Sequence, residues 1–338
     1  MFVSFFPQLV AGPIERSGNL IHQLHEEHSF DLLNIREGLL TMLWGFFMKM
    51  VIADRAAIYV DTVYSDYSSH SGWYIIVATV LFGLQIYCDF NGYTMIARGA
   101  AKVMGFNLME NFDAPYLATT VSEFWRKWHI SLTSWFKDYL YIPLGGNRKG
   151  IFRKYINILI VFGVSGLWHG ANWTFVIWGL LNGMYQVIGD VLKPIRNKIV
   201  DCFKLNRASI SHRILNIVTT FVLVDFAWMF FRANSLSDSI RIGKSMLLAK
   251  NIWVLTDHES LFTCGLDRYD FELLLFAVVI LLIADILKTK RISLMNDVIF
   301  KQDLWCRWTV YIVSFIFVLV FGIWGSTYVN TAFLYFQF

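Results

Sequence analysis

His169 lies in Gly163-Val-Ser-Gly-Leu-Trp-His-Gly-Ala-Asn-Trp173, between the apolar runs Tyr155 to Trp168 and Trp173 to Gly189. An ionisable side chain inside a membrane segment is costly and marks a functional site by default. Imidazole is also the side chain that gains or loses a proton near neutral pH. The plain alternative is a core histidine satisfied by a neighbouring helix. Weaker constellations surround this one. His22, His25 and His28, with Glu26 and Glu27, recur in steps of three; that spacing reproduces no zinc-ligand motif, and a solvated connector explains it. Asp89 is placed to pair with Arg98, while Asp225 and Asp285 lie within apolar runs, where acids either pair or mark proton and ion paths. Ser165 lacks the second glycine of a GxSxG elbow, and no GxxxxGK[ST] phosphate loop occurs, so neither a serine-hydrolase mechanism nor a P-loop is supported. The four cysteines, Cys88, Cys202, Cys264 and Cys306, form neither a metal motif nor a disulfide framework.

Membrane helices must position these groups. The chain is 56% hydrophobic and 17% aromatic against 16% charged residues, with a mean hydropathy of +0.50, which is too apolar for a soluble domain of this length. The strongest spans are Ile214 to Phe231, Leu273 to Leu287 and Trp308 to Gly325; weaker ones are Trp73 to Cys88, Tyr155 to Trp168 and Trp173 to Gly189. Leu39 to Ala57 is a further candidate, broken by Lys49. No secretory signal, internal repeat or polar linker is evident, so residues 1–338 read as a single membrane-embedded domain. The weakly basic balance, +4, is distributed by the positive-inside rule and leaves no nucleic-acid patch. Asp190 to Arg213 carries six Lys or Arg in 24 residues and Lys288 to Arg307 five in 20, which places both in the cytoplasm. Arg232 to Asp270 carries five in 39, matched by five acids, and is expected outside together with the C-terminus. The cluster Arg148, Lys149, Arg153 and Lys154 starts the next span from the cytoplasmic side. Tyr155 to Trp168 then reaches about 21 Å into a hydrocarbon core of about 30 Å, leaving His169 below the outer surface, where Gly163, Gly166 and Gly170 permit close helix approach or unwinding.

The stretch Asn111 to Arg148 is amphipathic rather than spanning. Phe124, Trp125, Trp128, His129, Leu132, Trp135, Phe136, Tyr139 and Leu140 recur at three-four spacing, with Glu123, Arg126, Lys127, Ser131, Thr133, Ser134, Lys137 and Asp138 opposite. Such a helix lies at the interface or re-enters the protein, and a purely anchoring role would make His129 incidental.

The block Asn111-Phe-Asp-Ala-Pro-Tyr-Leu-Ala-Thr-Thr-Val-Ser-Glu-Phe-Trp-Arg-Lys-Trp-His-Ile-Ser-Leu-Thr-Ser-Trp-Phe-Lys-Asp-Tyr-Leu-Tyr-Ile-Pro-Leu-Gly-Gly-Asn-Arg148, followed by Gly166-Leu-Trp-His-Gly-Ala-Asn-Trp173, resembles the signature of the membrane-bound O-acyltransferases. Pro7 to Ile14, Gln85 to Tyr93 and Tyr335 to Phe338 fit the branch that contains the alginate O-acetyltransferase membrane subunit. Two departures accompany the match. Family members carry several membrane helices ahead of the Pro7 segment, so this chain is expected to lack them. After Tyr93 the family's Ser-Asp-Met is replaced by Thr94-Met95-Ile96, with Arg98 on the next turn.

The resemblance implies an all-α polytopic membrane fold, a helical bundle with a re-entrant or interfacial amphipathic segment and a central tunnel. It also implies acyl transfer to a hydroxyl. His169 is then the general base that takes the hydroxyl proton during attack on a thioester, and His129 a supporting catalytic residue. Trp168, Asn172, Trp173 and Trp125 are substrate-tunnel candidates. The expected donor is acetyl-CoA or another acyl thioester, with no tightly bound cofactor and no metal. Expected partners are membrane lipid, an extracytoplasmic acetyltransferase protein and a polysaccharide acceptor such as alginate, at the inner (cytoplasmic) membrane. Two other readings stay open: D-alanyl transfer to teichoic acid, and a transporter or channel, which the missing inverted-repeat signs weaken.

Overall fold

The computed structural model describes residues 2, 4–9, 12–257 and 259–324. Among them helices, turns and irregular connections occur, and no strand. In chain order the α-helices are α1 (Ser17–His25), α2 (Leu32–Phe46), α3 (Asp54–Ser65), α4 (Trp73–Val103), α5 (Val121–Lys127), α6 (Ile130–Phe136) and α7 (Ile151–His169). They continue with α8 (Trp173–Val191), α9 (Lys193–Cys202), α10 (Ile210–Arg232), α11 (Leu236–Leu247), α12 (Arg268–Thr289) and α13 (Leu304–Phe321). Tyr335 to Phe338, Gly325, Val10 and Ala11 lie outside the described residues.

Helices α4, α7, α10 and α13 are long and apolar enough to cross a membrane, and α8 with α9 forms a pair bent by 50° that meets the same description. The chain is a multi-pass membrane protein. The expected spans fall on these helices, with two differences. Helix α12 carries the apolar run Leu273 to Leu287 but stays outside the set, because Asp285 lies within the run and Glu272 and Lys288 bound it. Helix α4 runs to 31 residues, about 46 Å of helix, well beyond the expected end at Cys88. Side-chain caps set several starts: Asp31 accepts from the Leu33 amide at 2.8 Å, Asp267 from the Asp270 amide at 2.8 Å, and Ser209 from the His212 amide at 3.2 Å.

The chain divides into two compact units. One comprises residues 1–65, 81–113 and 254–338. Here α2 and α4 cross at two glycine pairs: a Cβ on Gly38 would stand 2.6 Å from the Gly99 carbonyl oxygen, and one on Gly45 2.6 Å from that of Gly92. Seven residues separate the glycines on each helix, and the order reverses between them. The helices are therefore antiparallel with their backbones in contact, the arrangement that small residues permit in membranes. Lys49 does not break the candidate span Leu39 to Ala57. It sits in a π-helical turn, Phe47–Ala53, that joins α2 to α3. Its Nζ lies 2.7 Å from Asp54 and 2.6 Å from Asp89. The expected Asp89 to Arg98 pair is thus replaced, since an ammonium from the abutting turn reaches Asp89 while Arg98 turns to Glu110 at 3.5 Å. Asp285 receives the Tyr87 hydroxyl at 3.1 Å. His28 packs on Phe106, with ring centroids 4.2 Å apart.

The other unit comprises residues 66–80 and 114–253, and it holds both histidines of interest. Its frame is the hairpin of α7 and α8, against which α10 and α5 pack. At the hairpin's closest approach a Cβ on Gly166 would stand 2.3 Å from the Phe175 carbonyl oxygen, and one on Gly179 2.2 Å from that of Phe162. Helix α7 starts at Ile151, a turn before the expected Tyr155, so it spans about 28 Å before reaching His169.

Candidate active site

The amphipathic stretch is not one helix. Thr120 opens α5 by accepting from the Glu123 amide at 3.1 Å, and the Glu123 carboxylate takes the Thr119 amide at 2.9 Å and its hydroxyl at 2.7 Å. The helix ends at Trp128. His129 then adopts left-handed backbone, φ +44° and ψ +55°, and its carbonyl oxygen accepts from the Thr133 amide at 2.9 Å to start α6. A non-glycine residue there is uncommon and costs of order 1 to 3 kcal/mol, which the surroundings must offset. The break turns the His129 side chain into the unit, where it is 7% exposed, with the Ser131 hydroxyl 3.4 Å from its Nδ1. His129 lies outside the spanning helices, and burial pushes its imidazole well below the ordinary histidine range, with the charge of His169 acting in the same direction.

His169 is the last residue of α7, at the turn that joins the two helices of the glycine-packed hairpin. Its ring meets Trp178 edge-on at 5.2 Å and Phe231 at 5.3 Å. Trp178 stacks on Trp228 at 5.5 Å, and Trp228 meets Trp128 at 5.1 Å. A continuous aromatic cluster thus leads from His169 to the residue next to His129. Edge-on and offset contacts of this kind hold rings in defined positions. Trp125 joins the cluster against Trp178 at 5.6 Å, and its Nε1 donates to Asn182 Oδ1 at 3.2 Å. Asn182 in turn donates to the Trp178 carbonyl at 2.9 Å.

The remaining tunnel candidates fall elsewhere. Trp168 is 60% exposed and contacts Trp135 and Phe136. Trp173 is 72% exposed. Asn172 caps α8 through the Thr174 amide at 3.1 Å and donates to the Asn234 carbonyl at 3.3 Å, so its amide has a structural task. Trp178, Asn182, Trp228 and Phe231 were not singled out by sequence reasoning. Asn182 carried the available signal, because a carboxamide in the middle of an apolar span requires an interhelical partner. Asp225, flagged as an acid within a span, is buried on α10.

The model of the membrane-bound O-acyltransferase family matches residues 1–229. A probable alginate O-acetylase of Azotobacter vinelandii is 38% identical over 259 residues, 76% of this chain and 48% of its own. The peptidoglycan O-acetyltransferase of Helicobacter pylori is 37% identical over 249 residues, 73% of this chain and 46% of its own. More distant is the teichoic acid D-alanyltransferase of Bacillus subtilis, 27% identical over 243 residues. The alignments cover about half the length of the two O-acetylating relatives. With the Asn111 to Arg148 block and both histidines inside the matched region, the chain belongs to the membrane-bound O-acyltransferase family.

Proposed function

We propose that this chain forms the catalytic part of a membrane O-acetyltransferase, working as one membrane-embedded domain. It would take an acetyl group from a cytoplasmic thioester such as acetyl-CoA and pass it across the inner membrane for O-acetylation of an extracytoplasmic polysaccharide such as alginate. The immediate acceptor is a hydroxyl, on the polysaccharide or on an extracytoplasmic acetyltransferase partner. In this reading His169 is the catalytic base: its neutral imidazole takes the hydroxyl proton as oxygen attacks the thioester carbonyl, and the thiolate leaves. His129 donates a hydrogen bond to the carbonyl oxygen as negative charge develops there. Trp125 borders the acyl path, with Trp168, Asn172 and Trp173 at its margin.

The observation that carries the reading is the left-handed break at His129. Backbone strain of this kind collects at functional sites, and here it turns one imidazole into the unit that also holds the other. An interfacial anchor needs neither feature. The test is the O-acetyl content of surface polysaccharide in cells with and without the gene. A fall in O-acetyl esters on deletion, restored by wild type and not by His169→Gln, is the expected result. Unchanged content under expressing conditions refutes the reading, and loss of D-alanyl esters instead assigns the chain to the carrier-dependent branch.

A further inference from the structure

The unit that lacks both histidines holds a cavity of about 970 Å³, walled by α2, α4, α12 and α13. That volume is at the upper end of small-molecule sites. The lining changes character along each helix. On α12 it runs Phe276, Ile280, Ala284, Lys288, and on α4 Asn91, Met95, Arg98, Lys102, each set at the spacing of one helix face. The charged ends coincide: Glu110 takes Arg98 at 3.5 Å and Lys288 at 3.2 Å, and Glu37 lies 3.7 Å from Lys102. Arg291, just past α12, lines the same mouth with no acid beside it among the described residues. Four cations therefore face two carboxylates there. The opposite end is closed by rings, with Trp44 on Phe47 at 5.1 Å, Phe47 on Phe317 at 6.2 Å and Phe317 on Phe276 at 6.3 Å. Between the two ends, Asn91 Oδ1 and the Tyr311 hydroxyl have no hydrogen-bond partner among the described residues, although Asn91 is only 4% exposed. Leaving such groups unpaired is expensive.

We propose that this cavity seats one anionic glycerophospholipid, its phosphate among Arg98, Lys288 and Arg291, its ester groups at Asn91 and Tyr311, and an acyl chain against the ring cluster. The dimensions fit. From Lys288 to Phe276 is about 18 Å of helix, and one leaflet of a hydrocarbon core of about 30 Å offers chains of about 15 Å. The chemistry fits as well. The Tyr311 hydroxyl donates to an ester carbonyl, and the Asn91 carboxamide presents either its oxygen or its nitrogen by rotating about its last bond. An apolar helix from a second copy would bring no anion to the mouth and would leave both wall groups unpaired. Entry is lateral, because Phe276 is 55% and Val313 59% exposed on the membrane side. The charged mouth lies at the start of the Lys288 to Arg307 connection, which the positive-inside rule assigns to the cytoplasm, where basic sites between membrane helices meet anionic headgroups. The inference is independent of the acyl-transfer reading, since every lining residue belongs to the unit without the histidines.

The test is native mass spectrometry of the purified, delipidated full chain titrated with dioleoyl phosphatidylglycerol or with dioleoylglycerol, which has the same chains and no phosphate. Wild type should take up one phosphatidylglycerol saturably and prefer it by about 10-fold, the scale of one hydrogen bond to a charged group. Arg291→Gln, a change at an exposed residue outside any ion pair, should lose most of that preference. Tyr311→Phe removes a contact common to both lipids and should weaken each by about fivefold. Ala284→Trp fills the cavity and should abolish the saturable site. Lys198→Gln, on α9 in the other unit, should change nothing. Equal affinity for the two lipids, or phosphatidylglycerol binding unaltered by Arg291→Gln and Tyr311→Phe, overturns the inference whether or not Ala284→Trp folds. An equal loss in Lys198→Gln means general attraction to basic surface and overturns it too. Displacement of the lipid by acetyl-CoA, or a dimer that Ala284→Trp dissociates, assigns the cavity to the donor or to a second copy instead.

Discussion

Replacing Gly166 by alanine puts a methyl group where a carbonyl oxygen already stands. The added Cβ would lie 2.3 Å from the Phe175 oxygen and 2.9 Å from the Val176 Cα, against an ordinary contact of 3.4 Å or more. Both obstacles are backbone, so α7 and α8 must part by about 1 Å rather than let a side chain swing away. Overpacking of this kind costs about 1 to 3 kcal/mol, offset by up to about 1 kcal/mol of helix propensity gained over glycine. The cost to turnover should exceed the cost to stability. His169 lies three residues further along the displaced helix, and a 1 Å misplacement of a reacting group is worth roughly 100-fold in rate. Gly179→Ala, with its Cβ 2.2 Å from the Phe162 oxygen, should behave in the same way. Two neighbours serve as controls. Gly163 would meet only Leu180 Cδ2 at 3.4 Å, and Gly189 nothing within 4 Å, so alanine there should be neutral or slightly stabilising. The assay is thermal unfolding of the detergent-solubilised protein alongside acetyl transfer at matched membrane abundance. Equal melting and activity for Gly166→Ala and Gly163→Ala would show that the hairpin is not closed by backbone contact.

His169→Gln should leave membrane abundance unchanged and slow acetyl transfer by about 100-fold or more, the usual contribution of a general base; wild-type rates would remove His169 from the mechanism. His129→Asn keeps a residue tolerant of left-handed backbone and removes the imidazole, so turnover should fall, by less than at His169, at unchanged protein level. Equal turnover would return α5 and α6 to an anchoring role. Because the folded His129 titrates below its unfolded value of about 6.5, the unfolded chain binds the extra proton first as pH falls. Stability from this group is therefore fully present above about pH 6.5 and declines as pH drops towards the folded value. The acid-side slope of melting temperature should flatten in His129→Gln, and an unchanged slope would refute the burial argument. Lys49→Met leaves Asp54 and Asp89 buried without their shared cation, and should destabilise the protein by about 3 to 5 kcal/mol; near-normal melting would show that the ion pairs are not closed in the membrane.

The spans were legible because hydropathy is a property of composition over a window, and α7, α8 and α10 start within a few residues of the expected positions. Their packing was not. Gly38, Gly45, Gly92 and Gly99 are visible as small residues, but that they interlock in antiparallel order depends on which helix meets which. Lys49 reads as a break in an apolar run, because a single sequence does not show that two carboxylates, one from another helix, will close around it.

The site was legible in residue type and illegible in direction. Trp168 and Trp173 attract notice because they flank His169 in sequence, yet successive helical residues diverge by about 100°, so the partner beside His169 in the chain is carried away from it in space. The rings that meet His169, Trp178 and Phe231, come from other helices. His129 gives the same lesson in backbone terms. On an unbroken helix it would share the apolar stripe with Leu132 and Phe136 as one more amphipathic residue, and anchoring would explain it well. The reversal of φ at one position ends α5, begins α6 and gives the imidazole a direction unlike its neighbours'. No glycine marks that reversal, so nothing in the residue pattern announces it. A histidine that holds left-handed backbone bears strain that glycine would avoid, and its ring is the one the proposed transfer step requires.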